Sequence, residues 1–369
     1  MKFIDLFAGI GGFRLGMESA GHECVAFCEI DKFARASYKA IHDTKGETEF
    51  HDITSVTDEQ WSQFRGTVDV ICGGFPCQAF SVAGKRQGFL DETRGTLFFE
   101  IARAAKQIQP RILFLENVKG LLSHDKGRTF GVILNTLDEL GYDCEWQVLN
   151  SKNFRVPQNR ERVFIIGHLR GERGREVFPI RGESGYAIEN SIKPINDSKK
   201  TRKLLKRDDL NRFYDVSGIS PCLNTMQGGD REPKILVKEQ AVIVQKGRGF
   251  NKGGEHEVAP TLSSNSWQEN NLLKVIGSTQ NNAAVTDGTI SPTLTSSMGT
   301  GGGHVPMPVF RDLRIRKLTP RECWRLQGFP DWAFDKAQEV NSNSQLYKQA
   351  GNSVTVNVIA EIARRLEDV

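Results

Sequence analysis

No apolar run in the chain approaches the roughly 18 residues that a bilayer-crossing helix needs. The opening Met1-Lys2-Phe3-Ile4-Asp5 is unlike a signal peptide, because an acid stands where that signal has its apolar centre. Paired cysteines are missing too. Seven are scattered at positions 24, 28, 72, 77, 144, 222 and 323, with no CxxC spacing. That pattern excludes a disulfide framework and a cysteine zinc site, and it predicts a cytoplasmic protein with no metal and no membrane partner. Nor is there a large charge surplus: 49 Lys and Arg against 45 Asp and Glu leave +4, too little for a polybasic tail. With 38% apolar and 25% charged residues, the chain reads as soluble and globular, and 369 residues suggest two domains.

Within residues 1–168, short apolar runs alternate with helical stretches. Lys2–Phe7, Cys24–Cys28, Val68–Cys72, Ile112–Leu115, Cys144–Leu149 and Arg162–Gly167 are strand candidates. Thr96–Gln107 and Thr129–Leu140 have helical periodicity, and Gly141 supplies a stop for the second. This alternation predicts an α/β domain with a mostly parallel sheet and helices on both faces.

After His168 the texture changes to Gly, Ser, Asn, Thr and charge. Residues 168–317 hold 23 Lys and Arg against 16 Asp and Glu, an excess of +7 that leaves −3 on the rest. A local basic excess is expected where part of a protein meets a polyanion. The same stretch repeats a short pattern: Ser220-Pro221-Cys222-Leu223, Ala259-Pro260-Thr261-Leu262 and Ser291-Pro292-Thr293-Leu294. The repeats are either recurrent strand-and-turn chemistry in a β-rich domain or a duplicated recognition unit. Beyond them, Thr319 and Pro320 begin a helix to Leu326, and Asn352–Leu366 carries helical apolar spacing. The expected boundaries are 1–168, 169–318 and 319–369, the last completing the first domain.

The first strand runs into Phe7-Ala8-Gly9-Ile10-Gly11-Gly12, a glycine turn that lets backbone approach a bound nucleoside. Arg14 occupies the place of the third small residue of a dinucleotide fingerprint, which weakens an NAD or FAD reading. Glu29, 18 residues after Gly11, is placed to accept ribose hydroxyls, and Asp52-Ile53 is a further candidate contact. Val68–Cys72 leads to Gly73-Gly74-Phe75-Pro76-Cys77, where Pro76 stiffens the loop before the thiol. Cys72 lies inside the apolar run and reads as core, whereas Cys77 among turn residues is a nucleophile candidate. Glu116 closes the next strand, where a carboxylate is costly unless paired or on a ligand-binding rim. Arg160 and Arg162 begin another strand; alone, they read as salt-bridged surface residues.

Taken in series, these motifs resemble the cytosine-C5 DNA methyltransferases of bacterial and phage restriction–modification type. The resemblance rests on DLFAGIGGF at 5–13, Glu29, Asp52-Ile53, GGFPCQAFS at 73–81 and RGTLFFE at 94–100. It continues through ENV at 116–118, QNRER at 158–162, RECWRLQGFP at 321–330 and GNSV at 351–354. It implies a Rossmann-like S-adenosylmethionine-dependent methyltransferase sheet with a smaller, β-rich target-recognition domain over 169–318, followed by a hinge helix and C-terminal segment.

The catalytic set implied is Cys77, Glu116, Arg160 and Arg162. S-adenosylmethionine, leaving as S-adenosylhomocysteine, is expected at Phe7, Ala8, Gly9, Gly11, Gly12, Glu29, Ile30, Asp52, Ile53, Gly74, Pro76, Leu97, Asn352, Ser353 and Val354. Double-stranded DNA is expected at Ser81, Lys85, Arg86 and Arg94 of a closing loop. It is also expected at Thr261, Leu262, Thr293 and Leu294 of the recognition segment. A cognate restriction endonuclease acting independently on the same site, and a monomeric state, complete the expectation.

Three departures stand out: Ala83 where some relatives place a gap-filling serine, Arg155 where glycine is usual, and His51 where glycine often precedes Asp-Ile. Three other readings are open. A tRNA cytosine-C5 methyltransferase has a much shorter substrate region. A non-catalytic DNA-binding relative lacks Cys77 or Glu116. A nicotinamide oxidoreductase leaves the PCQ and ENV motifs unexplained.

Overall fold

The computed structural model describes residues 1–76, 97–171, 176–181, 213–215, 220–223, 225, 234–238, 243–245, 254–256, 271–273 and 313–366. Seven strands form one sheet: β1 (Lys2–Leu6), β2 (Glu23–Cys28), β3 (Thr48–Phe50), β4 (Val70–Gly74), β5 (Ile112–Val118), β6 (Tyr142–Asn150) and β7 (Glu161–Leu169). Their order is β3-β2-β1-β4-β5-β7-β6. β3, β2, β1, β4 and β5 run parallel, and β7 is antiparallel to both its neighbours. The mostly parallel sheet expected from the sequence is present. The reversal at β7 follows from the short link 151–160, which turns the chain straight back beside β6.

The period-2 alternation of side chains sorts each strand between two cores. Ile4, Leu6, Ile71, Leu113, Leu115, Val163 and Ile165 point to one face. There they meet α3 (Asp58–Ser62), α4 (Leu97–Ile108) and α5 (Arg128–Glu139) through Trp61, Phe98, Ile101, Ile133 and Leu137. Phe3, Val70, Cys72, Ile112, Phe114, Phe164 and Ile166 point to the other face. They pack on α1 (Gly12–Ser19) and the C-terminal helix Val356–Leu366. Both faces being covered explains why the central strands read as near-continuous apolar runs. Val177, Phe178 and Ile180 belong to this second core. Glu145 accepts from the Val177 and Phe178 amides, and Gln147 brackets Ile180, so this exit segment is pinned along β6.

A third cluster joins Ile10 and Ile41, the latter on α2 (Lys32–Ile41), to α6 (Pro320–Leu326), α7 (Asp331–Val340) and α8 (Asn343–Asn352). α6 begins as expected, with Thr319 and Glu322 forming a reciprocal capping box and Pro320 in the first turn. One expectation fails: Asn352–Leu366 is not one helix. α8 ends at Asn352 and α9 (Val356–Leu366) starts after an extended Ser353. The Gly351 and Ser353 carbonyls accept from the Arg160 guanidinium instead, which breaks the helical ladder at that point.

Between the last strand of the large sheet and α6 lie short strands in two three-stranded sheets. One has β8 (Phe213–Asp215), β9 (Lys234–Lys238) and β13 (Leu313–Lys317) in the order β13-β9-β8. The other has β10 (Ile243–Gln245), β11 (Gly254–His256) and β12 (Asn271–Leu273) in the order β11-β10-β12. Among the described residues no helix is long and apolar enough to cross a membrane.

Candidate active site

At the carboxyl ends of β1, β2, β4 and β5 lies a cleft of about 420 Å³, the edge at which open α/β sheets bind ligands. Its first wall is shaped by backbone. Phe7 takes a left-handed φ of 54° as it leaves β1. That conformation is strained for a bulky residue and places Phe7 on the cleft lining. Gly11 has φ 84°, and a Cβ there would lie 2.0 Å from His42 Nε2, so only glycine fits. Burial and Arg14 press the His42 pKa down to about 3, so the ring beneath the loop is neutral. The Glu29 carboxylate ties the wall together by accepting from the Gly9 amide at 2.8 Å and the Asp31 amide at 2.7 Å. Its burial raises its pKa, and those two hydrogen bonds oppose the rise. Asp31 caps α2 and pairs with Lys348 at 2.6 Å, which joins this wall to α8.

The second wall carries buried charge. Glu116 sits in β5 opposite Gly74 in the parallel register. A Cβ on Gly74 would come within 3.1 Å of Glu116 Oε2, so the glycine makes room for the carboxyl. Arg162 Nε lies 2.9 Å from Glu116 Oε1, an ion pair without hydrogen-bond alignment. Burial drives the Glu116 pKa up, while Arg162 and Arg160 pull it back. Asn117 donates to the Phe75 carbonyl at 2.8 Å and so fixes the loop leading to Pro76. Arg160 is 3% exposed. It donates to the Leu223, Gly351 and Ser353 carbonyls at 3.2, 3.2 and 2.8 Å. It is a buried brace, not the surface ion pair that its sequence context alone suggests.

The cleft brings together Phe7, Gly9, Glu29, Gly74 and Pro76 with Glu116, Arg160, Arg162, Asn352 and Ser353. Other expected cofactor residues do not line it. Ala8 is buried and donates to the Cys28 carbonyl. Gly12 and Val354 pack on each other behind the wall. Ile30 is 69% exposed, and Leu97 starts α4. Asp52 caps the short helical turn Ile53–Ser55 by accepting from the Thr54 amide and hydroxyl, while Ile53 is buried in the first core. Cys77, Ser81, Lys85, Arg86, Arg94, Thr261, Leu262, Thr293 and Leu294 lie outside the described residues. Sequence reading missed Asp31, Lys348 and Gln349, which also line the cleft. Lys348 and Gln349 lie three and two residues before the GNSV motif, and that proximity is the signal that could have found them.

A family model, C-5 cytosine-specific DNA methylase, matches residues 1–368. The chain is 33% identical to the orphan methyltransferase M.SPRI of Bacillus phage SPR, covering 99% of this chain and 97% of that protein. It is 36% identical to the type II methyltransferase M.Bsp6I of Bacillus sp. strain RFL6, covering 99% and 98%. Among solved structures, S. pombe Dnmt2 methyltransferase superposes with a TM-score of 0.57 at 16% identity, covering 100% of this chain and 98% of that one. That likeness supports the Rossmann-like fold. The cleft geometry and the full-length sequence matches lead to one assignment: the chain belongs to the C-5 cytosine-specific DNA methylase family.

Proposed function

We propose that the protein transfers a methyl group from S-adenosylmethionine to C5 of a cytosine flipped out of duplex DNA, through a covalent bond between Cys77 and C6. The observation that carries this reading is the buried Glu116 carboxyl, faced by Arg162 and one strand away from the loop that enters Cys77. S-adenosylmethionine supplies an electrophilic methyl on a sulfonium. Phe7, Gly9, Glu29, Asn352 and Ser353 fit its nucleoside end: an accessible cleft, a close-approach loop and a carboxylate for ribose hydroxyls.

C5 of cytosine is too electron-poor to attack a methyl group unaided. Addition of the Cys77 thiolate at C6 makes C5 enamine-like. Burial raises the Glu116 pKa and so favours the acid form, which donates to N3 as charge develops there. Arg162 holds O2, and Arg160 braces the GNSV segment beside it. Once C5 carries the methyl group and S-adenosylhomocysteine has left, a base removes the C5 proton, and β-elimination breaks the Cys77–C6 bond. C6 is inaccessible inside a duplex, so the base must leave the stack.

Lys85, Arg86 and Arg94 contact phosphates from the closing loop, and residues 169–318 read base edges in the major groove. The product protects DNA from a restriction endonuclease that acts separately on the same site, and a monomer suffices for this work. Bisulfite sequencing of random-sequence duplexes treated with the protein and S-adenosylmethionine tests the reading. Protection of cytosines within a short fixed sequence supports it. No protection, alongside methylation of tRNA, overturns it.

A further inference from the structure

The first of the three repeated patterns departs from both others at its third position: Cys222 stands where the second and third copies have Thr261 and Thr293. The structure gives this thiol a place. Arg160 Nη1 donates to Cys222 Sγ at 3.3 Å, and Arg162 Nη2 approaches the same sulfur at 3.9 Å. Side by side in space stand Glu116, Arg162, Cys222 and Arg160, so one polarisable acceptor lies between two guanidiniums that repel each other. Thiol acceptors tolerate longer N–H contacts than hydroxyls, which lets a single atom serve both donors.

The backbone around Cys222 is held independently of the thiol. The Ser220 amide donates to the Pro157 carbonyl at 2.6 Å, and the Asn159 amide returns a bond to the Ser220 carbonyl at 2.9 Å. The Leu223 amide donates to Gln158 Oε1 at 3.2 Å, and Leu223 is buried in the third cluster. The segment is therefore clamped onto the QNRER motif through residues other than Cys222.

We propose that Cys222 is a positioning residue for methyl transfer: its sulfur fixes the Arg160 and Arg162 guanidiniums so that Arg162 faces Glu116. The inference rests on the function proposed above. It also separates the first repeat from the other two, making 220–223 part of the transfer site's frame and not a reader of DNA bases.

Cys222→Ala and Cys222→Ser test it against wild type, by steady-state transfer of labelled methyl groups to DNA. The alanine variant should lose about tenfold in kcat, the size of one lost charge-assisted hydrogen bond, with KM for both substrates little changed. Its pH profile should also move. A loosened Arg162 no longer holds the Glu116 pKa down, so the limb that requires protonated Glu116 shifts to higher pH. Serine should restore most of the rate and the original profile. An unchanged kcat in Cys222→Ala overturns the proposal. So does a loss that comes with a lower Tm and an unmoved pH profile that serine does not rescue. A crystal structure of Cys222→Ala gives a readout independent of activity. Arg162 Nε should withdraw from its 2.9 Å approach to Glu116, and an unaltered pair contradicts the inference even if wild type does not methylate DNA.

Discussion

Along the wall formed by the ends of β1 and β2, the cleft is shaped by backbone: Phe7 and Gly9 in left-handed conformations, and the Gly9 amide tied to Glu29. Along the wall formed by β4, β5 and β7 it is shaped by charged side chains, with Glu116 against Arg162 and Arg160 braced beneath. The first arrangement suits holding a ligand, because a rigid loop loses little entropy when it binds. The second suits altering reactivity, because burial sets the protonation of an acid that side-chain partners then adjust. Lesions in the two walls should therefore separate into affinity effects and rate effects.

The largest effect belongs to the charged wall. Glu116→Gln should lower kcat by about 10²- to 10⁴-fold, the usual contribution of a general acid. S-adenosylmethionine affinity, measured by calorimetry, should stay within about twofold of wild type if the walls are separable. The sign of the pH dependence follows from burial, which raises the Glu116 pKa. Its protonated form persists above the ordinary carboxylate range, and the wild-type rate falls as pH rises through the raised value. The amide variant cannot ionise and should lose that decline. Parallel losses of affinity and rate would break the comparison.

Arg160→Ala crosses between the walls, because the guanidinium reaches both the Leu223 carbonyl and the Gly351 and Ser353 carbonyls. Removing it leaves buried acceptors unpaired, a cost of about 3 kcal/mol by urea denaturation. It should weaken S-adenosylmethionine binding and slow transfer together. A variant as stable as wild type would contradict the bracing role.

Gly11→Ala is the smaller, one-sided lesion. The new Cβ meets His42 at a position whose φ of 84° L residues rarely adopt. Affinity for S-adenosylmethionine should fall about tenfold while kcat at saturation holds. A fall in saturated kcat with affinity intact would reverse the assignment of the walls.

Much of the fold was legible because its signals are local. Strands such as Ile112–Leu115 and the capped start at Thr319 were readable from apolar runs and capping chemistry, and both are present. β3 escaped notice because Thr48-Glu49-Phe50 is a three-residue edge strand with no apolar run to mark it. The break after Asn352 was unreadable because it depends on Arg160, 191 residues away from the Gly351 carbonyl that it holds. At the site, residue types and order singled out Glu116 and Arg162, which both line the cleft, but their pairing is a product of β5–β7 register. Arg155 shows a local signal whose meaning needed coordinates. Its φ of 63° explains why glycine is usual at that place in the family it resembles.

The covalent step is the central claim, and a duplex carrying 5-fluorocytosine at the target position tests it most directly. Fluorine at C5 blocks the proton removal that precedes β-elimination. With S-adenosylmethionine present, the account predicts a denaturation-stable protein–DNA adduct that mass spectrometry maps to Cys77 and that Cys77→Ser abolishes. Absence of an adduct, with Cys77→Ser still methylating unmodified DNA at the wild-type rate, would contradict it.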